Sequence, residues 1–238
     1  MTQPVGASAH FQPVVDLRRM RVVGFEALAR FDDGASPLEH LRAAERAGRR
    51  EQLELQLIKG AVAAASALPR SAFVTLNVSG RTMTDPHLVE LLQNGERSWG
   101  LELFEGSPPE DCVAVREQVD RIGGFLLIDD AGADFANEAR IRELRPDIVK
   151  IDRALFWGSL SDTDAGGARI DSILAATQDV GARSLIEGIE DDEHLVAAHE
   201  LGVDYAQGYH LGRPTPVADV PPMLADLERR VGVDASGL

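Results

Sequence analysis

Short apolar runs alternate along the chain with stretches of helical period. Of the runs at 11–15, 22–28, 73–78, 101–104, 125–128, 148–151, 184–186 and 205–207, most are rich in Val, Ile, Leu or Phe, as buried strands are. Between them, Leu57, Ala61, Ala65 and Leu68 mark one helix face, with Ile58 and Val62 beside it. The stretches 37–47, 85–93, 109–122, 135–144, 168–180, 191–201 and 221–231 also read as helices, and Gly48, Gly95, Gly181 and Gly202 punctuate their ends. Strands and helices alternating in this way predict an α/β fold, a closed (β/α)8 barrel of TIM type; an open doubly wound sheet is the other arrangement the pattern permits. One domain is expected at 10–231, with flexible tails at 1–9 and 232–238 and an exposed loop over 158–167.

Composition narrows the function classes. The chain has 238 residues, and a single α/β barrel uses about 250. Lys plus Arg number 24 and Asp plus Glu 39, for a net charge of −15. Such a surface repels a phosphate backbone and lacks the basic patch that anionic membranes attract, so neither a nucleic acid polymer nor a membrane is expected as partner. No apolar run approaches the roughly 18 residues of a membrane span, and the start of the chain lacks a signal-peptide pattern. Cys112 is the single cysteine, which excludes an internal disulfide and a cysteine metal site. A cytoplasmic setting is expected.

The informative residues are polar groups at the ends of the apolar runs: Glu26, Asn77, Glu102, Asp129, Asp130, Lys150, Glu187 and Gln207. Any one carboxylate there reads most simply as solvated or as a helix cap. In a barrel, however, all the strand ends meet at one mouth. Carboxylates crowded there repel one another unless cations join them, and hard oxygen ligands suit Mg2+, Mn2+ or Ca2+. Asp129 and Asp130 could bridge two ions, an apparatus suited to phosphodiester hydrolysis. Lys150 could polarise the attacking water, or simply form a salt bridge to Asp129 or Glu187.

At this point the motifs resemble a known family. The run Phe25-Glu26-Ala27-Leu28-Ala29-Arg30-Phe31 resembles the signature stretch of EAL domains, bacterial phosphodiesterases specific for cyclic di-GMP. Asn77-Val78-Ser79, Glu102-Leu103-Phe104-Glu105, Asp129-Asp130, Lys150-Ile151-Asp152, Glu187-Gly188-Ile189-Glu190 and Gln207-Gly208-Tyr209 follow in the family's order. The resemblance implies a (β/α)8-type barrel with one antiparallel strand and cleavage of cyclic di-GMP to linear pGpG. It implies two working ions, Mg2+ or Mn2+, with Ca2+ binding but supporting turnover poorly. Glu26, Asn77, Glu102 and Asp129 would hold the first ion, and Asp129 and Asp130 the second. Lys150 and Glu187 would act on the catalytic water, and Gln207 would orient the site. Gln12, Leu28 and Arg30 would hold the substrate, and Glu105 and Glu190 would support the active-site loop. A homodimer is expected, with a regulatory protein as a further possible partner.

That loop reads Asp129-Asp130-Ala131-Gly132-Ala133-Asp134, where the family's usual run is Asp-Asp-Phe-Gly-Thr-Gly. This departure motivates a second reading, a receptor or protein-interaction module with little or no turnover. The six histidines show no metal-binding spacing; His194 and His199 read as surface or packing residues, and Trp99 and Trp157 as packing residues.

Overall fold

The computed structural model describes residues 6–93, 97–103, 111–131, 137–160 and 164–235. Gly95, Glu105 and the loop 132–136 lie outside the described residues, as do 1–5 and 236–238.

Eight strands close into a barrel: β1 Ala7–Asp16, β2 Arg21–Phe31, β3 Phe73–Val78, β4 Trp99–Leu103, β5 Phe125–Ala131, β6 Ile148–Ile151, β7 Arg183–Ile186 and β8 Tyr205–Ala206. From β2 to β8 each strand is parallel to the next, and β1 closes the ring by pairing antiparallel with both β2 and β8. A short ninth strand, β9 Thr215–Pro216, adds to the outer end of β1. The closed barrel, and not the open sheet, is therefore the fold, with the single reversed strand that the sequence motifs imply.

The helices are α1 Pro37–Arg46, α2 Arg50–Ala65, α3 Gly80–Met83, α4 Pro86–Leu92, α5 Cys112–Ile122, α6 Glu138–Leu144, α7 Arg153–Leu160, α8 Asp164–Asp179, α9 Asp192–Glu200 and α10 Val220–Val231. Local chemistry sets several starts. Ser36 and Glu39 form a reciprocal capping box on α1, and Asp85, Asp111, Asn137 and Asp191 cap the helices that follow them. The guanidinium of Arg97 donates to the carbonyls of Ala65, Leu68, Pro69 and Ala72 at 2.5–3.0 Å, closing the end of α2.

Three expectations are corrected. Residues 7–9 are not a tail: they pair with Phe31, Arg30 and Ala29, so β1 starts earlier than its apolar run. The far end is also held through Asp234, because Val233 is fully buried and Asp234 bridges to Arg21. The Gly- and Ser-rich stretch 158–167 is largely helical: α7 runs to Leu160 around the buried Phe156, and α8 begins at Asp164.

Inside the barrel the residues are layered. Phe73 and Phe125 meet edge to face, with ring centroids 5.3 Å apart. Gly24 and Gly100 on neighbouring strands make room for them; a Cβ at either would lie 2.3 or 2.7 Å from a phenyl carbon. Val14, Leu127, Ile148 and Leu185 form a buried apolar cluster. Because side chains alternate along a strand, the next inward residues towards the mouth lie two positions on. These are Glu26, Glu102, Asp129, Lys150 and Glu187, and on the reversed β1 they include Gln12.

Candidate active site

Lys150 is the centre of the polar layer. Its side chain is 2% exposed, and its Nζ lies 2.7 Å from Glu102 Oε2, 2.8 Å from Glu187 Oε1, 2.9 Å from Asp129 Oδ1 and 3.6 Å from Glu26 Oε2. Burial alone would lower the lysine pKa, but Asp129, Glu102, Glu187 and Glu26 together hold it well above its ordinary value.

Four carboxylates around one ammonium leave three formal negative charges over. Burial, then the neighbouring Glu26, pushes the Glu102 carboxyl well above the usual carboxylate range. Burial raises Glu187 to about 7, with Lys150 opposing the shift and Asp129 adding to it.

The other groups fix this set in place. Glu26 Oε1 accepts from Asn77 Nδ2 at 3.0 Å, and Glu26 Oε2 accepts from Gln207 Nε2 at 2.8 Å. Gln207 Nε2 also donates to Gln12 Oε1 at 3.1 Å, and Gln12 Nε2 donates to the Gly212 carbonyl at 3.0 Å. This chain ties β1, β2 and the end of β8 together across the reversed strand. Asn77 stands opposite Glu102 in the β3–β4 register.

At the end of β5 the register shifts between Ile128 and Ala131, and Asp130 takes a left-handed φ of 54°. Such a bulge turns two consecutive carboxylates towards one place, which regular alternation forbids. Carboxylate oxygens of Asp129, Asp130 and Glu187 all lie within 4.8 Å of one another. Asp129 Oδ1 and Gln207 Oε1 are buried without a hydrogen bond among the described residues, although the former contacts the lysine ammonium. An excess of negative charge, three clustered carboxylates and an acceptor lacking a hydrogen bond fit a hard divalent cation.

Of the other expected site residues, Leu28 and Arg30 follow Glu26 at two-residue spacing on the same face of β2. Arg30 Nη1 donates to the Ala29 carbonyl, 2.8 Å away, and is not brought into the carboxylate cluster. Glu190 is exposed, and its backbone N–H donates to His194 Nδ1 at 3.3 Å. Asp152 serves as a helix cap, accepting from the backbone of Ala154 and Leu155 at the start of α7.

A cavity of about 210 Å3 opens at the mouth, and its lining adds Arg153 and Tyr209 to the expected residues. Tyr209 lies 4.2 Å beneath the Arg213 guanidinium. Arg153 carried no sequence signal beyond its charge, whereas Gly212-Arg213-Pro214 resembles the family's closing motif. A larger cavity, about 500 Å3, lies behind β2 against α1 and α2. Its walls include Ala27, Ala29, Leu57 and Ile58, and the Arg50 and Glu54 within it pair at 2.8 Å. It therefore lacks the excess charge of the mouth.

Among the described residues no helix is long and apolar enough to cross a membrane. The EAL domain family model matches residues 6–214. Cyclic di-GMP phosphodiesterase PdeB of Shewanella oneidensis is 25% identical over 88% of this chain and 26% of its own length. The probable cyclic di-GMP phosphodiesterase PdeI of Escherichia coli is 28% identical over 87% of this chain and 28% of its own. The chain thus spans about a quarter of the length of these curated relatives. Among solved structures, the PaMucR phosphodiesterase in a c-di-GMP complex superposes with a TM-score of 0.78 at 24% identity, covering 90% of this chain and 99% of that one. A manganese and cyclic di-GMP complex of Klebsiella pneumoniae BlrP1 gives a TM-score of 0.75 at 25% identity, covering 90% and 56%.

Proposed function

Because the chain belongs to the EAL domain family, we propose that it hydrolyses one phosphodiester bond of cyclic di-GMP, giving linear pGpG. The observation that carries this reading is the buried Lys150 ringed by Glu26, Glu102, Asp129 and Glu187, with Asp130 turned in beside them. The relatives named as cyclic di-GMP phosphodiesterases support the substrate.

Glu26, Asn77, Glu102 and Asp129 would hold one Mg2+ or Mn2+, and Asp129 and Asp130 a second. Such ions supply a Lewis acid for water and positive charge for the phosphate oxygens. Lys150 holds Glu102, Asp129 and Glu187 around the attacking water and adds a positive charge beside the phosphate. Glu187, beside Asp129 and Asp130, receives the proton of the attacking water. The water oxygen bonds to phosphorus, one bridging P–O bond breaks, and the proton is returned to the leaving oxygen. Gln12, Leu28 and Arg30 would hold the nucleotide, while Gln207 keeps Glu26 oriented. An acidic protein can take a dianionic ligand in this way, because the ions and Arg30 reverse the local sign. Ca2+ would occupy the site but position water less strictly. A homodimer working in the cytoplasm, with a regulatory protein partner, belongs to the same proposal.

Incubation with cyclic di-GMP and Mn2+ tests the reading: pGpG should form, and Glu26→Ala or Lys150→Ala should abolish it. No product from the wild type at high enzyme concentration sinks it. The run Ala131-Gly132-Ala133-Asp134 favours a second reading, a cyclic di-GMP receptor or protein-interaction module. Calorimetry with Ca2+ separates the two, since tight binding without hydrolysis identifies a receptor.

A further inference from the structure

The carboxylate of Glu187 is carried by a short turn, Glu187-Gly188-Ile189-Glu190, between β7 and α9. Three side chains of the flanking helices grip that turn. Trp157 Nε1 on α7 donates to the Gly188 carbonyl at 2.9 Å. The stem of Arg153, one turn earlier, lies against Gly188, where a Cβ would meet Arg153 Cγ at 2.3 Å. Gly188 also has a φ of +79°, so glycine is required twice over. On the other side, His194 Nδ1 of α9 accepts from the Glu190 backbone N–H at 3.3 Å. The grip is itself braced: the His194 ring lies 5.5 Å from Trp157 and 5.8 Å from Phe156, and the Arg153 guanidinium sits 5.1 Å over the Trp157 ring.

We propose that Trp157 and His194 are positioning residues for Glu187: by holding the backbone on either side of Gly188, they set the carboxylate against Asp129 and Asp130. Each bonds to the backbone of the turn, to the Gly188 carbonyl or the Glu190 N–H, and so acts on Glu187 through the turn. The proposal rests on the reading of that cluster as a cation site, and it extends the site outwards to α7 and α9.

Trp157→Phe and His194→Phe each remove one hydrogen bond and keep an aromatic ring. Trp99→Phe is the control, because Trp99 Nε1 is buried and has no hydrogen-bond partner among the described residues. Mn2+ affinity is measured without substrate, by the electron paramagnetic resonance of free Mn2+. Each of the first two variants should bind Mn2+ about three- to tenfold more weakly, the worth of one net hydrogen bond. The control should match the wild type. With cyclic di-GMP, kcat should fall by a similar factor and KM should stay within about twofold, because a purely structural loss lowers neither selectively. In the wild type alone, Mn2+ should slow amide exchange across 187–194, a readout that needs no variant to fold. Variants with wild-type Mn2+ affinity, or unchanged exchange at 187–194, overturn the proposal. Weakened affinity with no cleavage by any chain upholds the positioning and rejects the hydrolysis. A wild type that binds no Mn2+ rejects both.

Discussion

Lys150 Nζ and Glu102 Oε2 face each other at 2.7 Å, and the two side chains are 2% and 1% exposed. A pair so completely removed from water holds together only while both charges are matched. Removing the lysine would leave Glu26, Glu102, Asp129 and Glu187 in mutual repulsion. Lys150→Met should therefore cost the metal-free protein about 3–5 kcal/mol, as does breaking other buried pairs. Mn2+ should restore part of that stability without restoring turnover. Denaturant unfolding with and without a chelator measures both effects.

Stability should also depend on pH in an unusual direction. The Glu187 carboxyl is raised from 4.5 to about 7 by burial. The folded state therefore binds more protons than the unfolded state between these values, and the slope of stability against pH is negative. The metal-free protein should lose stability as pH rises from about 4.5 to 7, and its Mn2+ affinity should rise over the same window. Melting curves at pH 5, 6, 7 and 8, each with and without Mn2+, would show opposite trends. A metal-free protein that gains stability across that window would contradict the assignment.

Asp130 separates fold from function. Its φ of 54° suits asparagine as well as aspartate. Asp130→Asn should keep the bulge and the melting temperature. It should weaken the occupancy of a second ion, read as a fall of about tenfold or more in Mn2+ affinity. Stoichiometry by calorimetry distinguishes one site from two.

Arg97 provides the converse case. Its guanidinium answers four carbonyls at the end of α2, remote in role from the mouth. Arg97→Met should destabilise by about 2–3 kcal/mol, since hydrogen bonds from a charged group are worth about 1.5–3 kcal/mol each and water recovers part of the loss. Turnover per folded molecule should not change.

The sequence made the strands legible because most are apolar runs bounded by polar residues, and their alternation dictated the barrel. It under-read β1, where Ala7, Ser8 and Ala9 are small and carry little apolar signal, and pairing with β2 supplies the order. It misread 158–167 because Gly158, Gly166 and Gly167 suggest a loop, while the packing of Phe156 and Ile170 secures two helices. The carboxylates were legible because polar residues closing apolar runs are conspicuous. Trp157, His194 and Arg153 were not, because a helix presents aromatic and basic residues for many reasons. Their relation to Gly188 exists only once α7 and α9 are folded against the turn.

The reversed direction of β1 has a geometric consequence. Ala7 pairs with Phe31 at the far end of β2, level with or beyond the carboxylates, whereas Asp234 bridges to Arg21 at the opposite rim. In a barrel whose first strand runs with the others, a segment joined ahead of that strand would emerge at the closed floor. Here it would emerge beside the mouth that carries the carboxylates. A tether, reporter or input module fused ahead of Ala7 therefore sits where it can obstruct or admit ligand, and one fused beyond Asp234 works from the far side of the molecule.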